Sequence, residues 1–129
     1  MKKRTAYTFE IPAELYAGIE GFEKAKIVCR YPNIVERSAI MEGLAKIGNK
    51  DMVTIAIALM VLGITIESIT GVVYEDGEEA KLEVANSSLV PYPVLGGDIA
   101  DALVESGKGV EIVRYILDQI KTGAEQKKS

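Results

Sequence analysis

The sequence predicts a mainly α-helical domain with a small β component, an α+β fold. Its centre is an antiparallel helical hairpin, with short strands at the N-terminus and a β-hairpin near residues 72–84. Three observations predict this. Apolar residues run almost unbroken from Met52 to Ile66, interrupted only by Thr54, Gly63 and Thr65 and closed by Asp51 and Glu67. A second helical segment precedes that run across a very short joint at Gly48-Asn49. Alternating apolar residues near the N-terminus and an Asp76-Gly77 pair between β-prone flanks mark the strands.

Each element has a local reason. Tyr7, Phe9 and Ile11 alternate with Thr8 and Glu10, the pattern of a half-buried strand over Thr5 to Ile11. Pro12 ends it and suits the first position of a short helix. Leu15, Ile19 and Phe22 fall at helical spacing, but Gly18 and Gly21 weaken a helix there, so the segment reads as a marginal helix or an extended loop. Ala25 to Tyr31 reads as a second strand with Ile27, Cys29 and Tyr31 on one face, pairing with the first. Asn33 followed by Glu36 is a capping-box arrangement, opening a helix to about Ile47 with Ile40, Leu44 and Ile47 on one stripe and Met41 beside it.

Asn49 can cap the central helix, with Asp51 near its positive end. Gly63 reads as a left-handed cap that ends it. Thr65 then caps one further helical turn, Ile66 to Thr70. Asn86 to Gly97 is a connector in which Pro91 and Pro93 deny ladder hydrogen bonds. Asp98 opens a helix to about Ser106, with Ile99, Leu103 and Val104 inward. After Gly107-Lys108-Gly109, Val110 to Lys121 is the cleanest amphipathic segment: Val110, Val113, Ile116, Leu117 and Ile120 recur at helical spacing and Ile112 widens the stripe. Residues 122–129 are polar and read as a frayed tail.

The chain has 129 residues, of which 48% are hydrophobic and 26% charged, enough for one domain, 1–129, with a real core. The central run falls short of the about 20 apolar residues that cross a bilayer, so no membrane partner is expected. A formal net charge of -4 repels phosphate backbones, and the eight aromatic residues are scattered with no basic cluster interleaved among them, so no nucleic-acid partner is expected either. The basic clusters MKKR and QKKS at the two ends read as solubilising ends. A signal peptide over residues 2–15 fails for want of an apolar stretch. One cysteine, Cys29, can make no intramolecular disulfide and suits a reducing, cytoplasmic location.

Catalytic chemistry is thin. The chain has no histidine, hence no imidazole base for Cys29, which reads as a buried structural thiol. Glu75, Asp76, Glu78, Glu79 and Glu83 lack the regular ligand spacing of a calcium loop and read as a solvated turn. Carboxylates at positions 10 and 14, 36 and 42, and 78 and 79 have nothing to order them into a cleft. No glycine pattern suits a phosphate. The expectation is a protein that is not an enzyme and takes no cofactor and no metal.

At Leu59 to Val72, LMVLGITIESITGV, an apolar helix, a glycine, a hydroxyl residue, an acidic turn and a glycine-hydrophobic step follow one another. This segment, with the β-prone opening YTFEIP, resembles the tail assembly chaperones of long-tailed bacteriophages. The resemblance covers about half the chain; the Asp-Gly hairpin and the proline-broken segment 86–97 depart from the family pattern. It implies a non-catalytic protein that binds the tape-measure protein, helps recruit tail-tube subunits and self-associates, in the cytoplasm of the host.

A holdase needs apolar surface on a charged body. The sequence offers two candidates: the turn carrying Ile64, Ile66 and Ile69, and the connector carrying Leu89, Val90, Tyr92, Val94 and Leu95, for which packing on the chain's own core is the favoured reading and an exposed patch the alternative. The same apolar residues suit a structural subunit or scaffold that builds an oligomer without a client. A small carboxylate-based enzyme or ligand-binding domain is the third reading.

Overall fold

The computed structural model describes residues 7–45 and 51–126. Within them lie four α-helices and two small antiparallel sheets, a mixed α+β architecture. Strand β1 (Thr8–Glu10) pairs antiparallel with β2 (Lys26–Arg30), Phe9 opposite Cys29, and alternation sends Ile27 and Cys29 into the core. Between them Pro12 leads into a single 3-10 turn, Ala13–Leu15. No longer helix forms because Gly18 and Gly21 both sit at φ +89°, a left-handed backbone. Ile19 N–H donates to the Tyr16 carbonyl and Phe22 N–H to the Ile19 carbonyl, so successive tight turns press Tyr16, Ile19 and Phe22 onto the core.

Helix α1 (Ile34–Ala45) opens on the capping box its sequence predicts. Glu36 N–H donates to Asn33 Oδ1 at 2.8 Å, and Asn33 N–H donates to Glu36 Oε1 at 2.9 Å. Arg30, at the end of β2, forks onto the same carboxylate with both terminal nitrogens. The cap therefore also fastens the helix to the sheet. Ile47, the Gly48-Asn49 stop and the Asn49 cap lie outside the described residues, as does the joint of the expected helical hairpin.

Helix α2 (Asp51–Thr65) is the hub of the core. Strand β5 (Val94–Gly96), helix α4 (Lys108–Gln126) and α1 all pack on it, so α1 is one neighbour among several. Gly63 does not end the helix. It lies inside α2 where β5 crosses: a Cβ there would stand 2.8 Å from the Pro93 carbonyl oxygen and 2.9 Å from Leu95 N. The residue is glycine because two backbones touch.

Residues Ile66–Thr70 are not a further helical turn either; they form strand β3, directly after α2 and antiparallel to β2. Ile69 faces Ile27 and Ile66 faces Cys29, so β3 carries one extra residue, Glu67, in the register. This bulge lets Ile66 and Ile69, three apart, both point into the core. A spacing that looks helical on paper is a bulged strand. The Thr65 hydroxyl donates back to the Val61 carbonyl at 2.7 Å instead of capping a new turn.

The Asp76-Gly77 turn is present: Tyr74 N–H donates to the Glu78 carbonyl at 2.8 Å and Ala80 N–H to the Val72 carbonyl at 2.8 Å. Its ladder is the single bridge Val73–Glu79. The chain then leaves this turn, and β4 (Glu83–Ala85) pairs antiparallel with β5, Val84 opposite Leu95. Strand β5 is possible because it starts after Pro93, where backbone N–H groups resume.

Helix α3 (Gly97–Ser106) ends at Gly107, left-handed at φ 75°, whose N–H donates to the Val104 carbonyl. Helix α4 follows at once and buries Ile112, Val113 and Ile116. It runs on to Gln126 rather than fraying at Lys121; Ala124, Glu125 and Gln126 are good helix formers. Residues 127–129 of the expected tail lie outside the described residues. Val104 and Val110, expected inward, are left partly exposed. No helix among the described residues is long and apolar enough to cross a membrane.

Candidate interaction surface

Cys29 is fully buried opposite Phe9 and Ile66, and burial pushes its thiol up to about 12. A thiol so held is protonated at neutral pH and does not act as a nucleophile. The acidic residues of the 75–83 turn are exposed, and two have structural tasks: Glu79 accepts from Gly71 N–H at 2.8 Å and Asp76 from Glu78 N–H at 2.9 Å. The Glu36 carboxylate is held by Arg30, whose hydrogen bonds lower its pKa. No three His, Cys, Asp or Glu side chains among the described residues are grouped to hold a metal ion.

The eight residues that sequence reasoning offers as interaction surface divide sharply. Ile64, Ile66, Ile69, Val94 and Leu95 are buried in the core of the chain itself. The first three close the end of α2 and the bulged strand; the last two form the strand that crosses Gly63. Val90 and Tyr92 are half-buried against that core. Leu89 alone of the eight is largely exposed, at 51%.

Helix α1 carries what that reasoning overlooks. Ile40 is buried and Leu44 half-buried, yet Ile34 is 71% exposed and Val35 and Met41 are each 63% exposed. Ile34, Ser38, Met41 and Ala45 recur at intervals of three and four residues, a second stripe on the face away from the core. The helix is apolar on both sides, and on the outer one Ser38 and Glu42 alone are polar. The signal is in the sequence, masked by an inner stripe that satisfies the same period. Alongside, Ala39, Glu42 and Gly43 of α1 meet Leu89, Val90 and Pro91 around a shallow groove of about 40 Å³. Val35 lies one turn before Ala39 on the same row. The exposed stripe and Leu89 thus form neighbouring parts of one surface.

Gly43 lies where α1 packs on α2, a Cβ there standing 3.3 Å from Met60 Cε. Arg37 borders the stripe, its guanidinium 5.5 Å from the centre of the Tyr31 ring. Tyr31 in turn donates to the Ile120 carbonyl at 2.6 Å, linking α1, the first sheet and α4 into a firm support. An apolar helix face of this kind can seat another apolar helix. Comparison of the chain with protein-family models, with curated proteins and with solved structures finds no match.

Proposed function

We propose that this chain is a non-catalytic assembly factor that holds apolar helices of another protein on the outer face of α1. On the resemblance of Leu59 to Val72, the client is the tape-measure protein of a long-tailed phage and the chain is its tail assembly chaperone, which also helps recruit tail-tube subunits in the host cytoplasm. The observation that carries the reading is the exposure of Ile34, Val35 and Met41 on one helix whose other side is already packed. An exposed apolar stripe costs solubility, so its presence asks for a partner. In this reading α1 and α2 form an antiparallel hairpin that presents the stripe.

Co-purification and sedimentation with a long coiled-coil tape-measure partner test the proposal. The native chain should form a complex, and the triple variant Ile34→Ser, Val35→Ser, Met41→Ser should not, while its circular dichroism stays native. A complex indifferent to the triple substitution would sink the reading. Concentration-dependent self-assembly with no client complex would instead identify a structural subunit.

A further inference from the structure

Arg37 stands on the flank of the exposed α1 stripe, three residues after Ile34 and four before Met41, one helical turn from each. Its guanidinium lies over the Tyr31 ring, 5.5 Å from the centroid. That ring is itself fixed: its hydroxyl donates to the Ile120 carbonyl, and Tyr7 is set against it in a T-shaped pair with centroids 6.1 Å apart. Attraction between the cation and the ring face holds the head group in place beside the stripe.

How the head group is held decides what it can bind. Nε is buried and has no hydrogen-bond partner. The two terminal nitrogens also lack a partner among the described residues but are open to solvent. Arg30, at the end of β2, shows what such a fork takes: its two terminal nitrogens close on the two oxygens of Glu36. Arg37 presents the same pair of donors at the surface. Residues 1–6, 46–50 and 127–129 contain no aspartate or glutamate, so no side chain from them can supply a carboxylate to it.

We infer that Arg37 selects the client: the helix seated on the α1 stripe carries an aspartate or glutamate beside its apolar anchors, and that carboxylate docks on the terminal nitrogens of Arg37. The planar fork matches a carboxylate, and the pair strengthens as docking removes water from around Ile34 and Met41. A helix without the carboxylate would cover the fork and leave it unpaired, a penalty that discriminates against it. The inference rests on the reading of the α1 face as a client-binding surface and adds the chemistry of the client.

A set of synthetic amphipathic peptides tests it. All share leucines at i, i+4 and i+7, one glutamate is placed in turn at each position beside that stripe, and each peptide has a glutamine counterpart. Fluorescence anisotropy with the full chain should find a glutamate position that binds about tenfold tighter than its glutamine counterpart, and Arg37→Gln should bind the two alike. In heteronuclear NMR spectra of the native chain, the Arg37 Nε–H signal should move with that glutamate peptide and not with the glutamine one, a readout that needs no variant to fold. Failure of every peptide to bind, no advantage for any glutamate, an advantage that survives Arg37→Gln, or an Arg37 signal indifferent to both peptides would overturn the inference. The reading of α1 is judged separately, by whether the Ile34→Ser, Val35→Ser, Met41→Ser variant loses glutamate and glutamine peptides alike.

Discussion

Gly63 sits in the last turn of α2, still inside the helix, where glycine costs up to about 1 kcal/mol against alanine, so the substitution Gly63→Ala would be stabilising if propensity decided. It does not decide, because the added methyl would lie 2.8 Å from the Pro93 carbonyl oxygen and 2.9 Å from Leu95 N, both backbone atoms that cannot swing aside. Overpacking of this kind costs about 1–3 kcal/mol, and Gly63→Ala is expected to lower the urea midpoint. An unchanged or raised midpoint would mean that β5 does not cross there. Cys29 gives a second test. With its thiol pushed up to about 12 by burial, it should stay unreactive to a thiol reagent from neutral to mildly alkaline pH and label only as fast as the chain unfolds. The burial of Cys29 is legible in strand alternation. The role of Gly63 is not, because a glycine after an apolar run looks like a cap until the crossing strand is known.

Helix α1 was the easiest element to read at its start and the hardest on its surface. Asn33 and Glu36 announce the cap because both partners lie within four residues; Arg30 joins them by tertiary folding, through the end of β2. The Arg30 hydrogen bonds hold the Glu36 carboxyl below its usual range, so the ionised pair favours the folded state. A lowered folded pKa means that this stabilisation is complete above the ordinary carboxylate pKa and disappears as pH falls through the folded value. Glu36→Gln keeps an oxygen for the Asn33 N–H but removes the charge. It is expected to lose up to about 1 kcal/mol at neutral pH, the pair being partly exposed and screened, and to converge with the native chain in acid. Asn33→Ala should cost about 1 kcal/mol at both ends of that range. Chemical denaturation of the three proteins across pH separates the effects. Strand β3 taught the opposite lesson: Ile66 and Ile69 obey a helical interval because Glu67 bulges out of the register, and no local signal announces a bulge whose partner strand lies some forty residues upstream.

Across the whole molecule, the dominance of the apolar central segment was legible, and so was the mixture of helices with minor strands. Which apolar residues face solvent was not, since exposure is decided by neighbours that are distant in sequence. Leu95 and Leu89 show the difference within one connector. Leu95 is fully buried under α2, and Leu95→Ala should cost about 2–5 kcal/mol; Leu89→Ser, at an exposed position, should stay within about 0.5 kcal/mol. Because Val94 is buried, joint replacement of Val90, Tyr92 and Val94 by serine is expected to abolish folding rather than a contact. The candidate surface that remains is the apolar face of α1, on a chain whose formal net charge of -4 opposes contact between copies. The sequence pI is about 4.9, so repulsion between copies vanishes as pH approaches that value from above while the apolar attraction persists. Sedimentation of the native chain at fixed concentration should therefore show association growing as pH is lowered from neutral toward 4.9. The Ile34→Ser, Val35→Ser, Met41→Ser variant removes three apolar side chains and no charge, so its pI is unchanged. If the α1 face is the adhesive, the variant should remain monomeric over the same pH range; association equal to that of the native chain would assign the adhesion elsewhere.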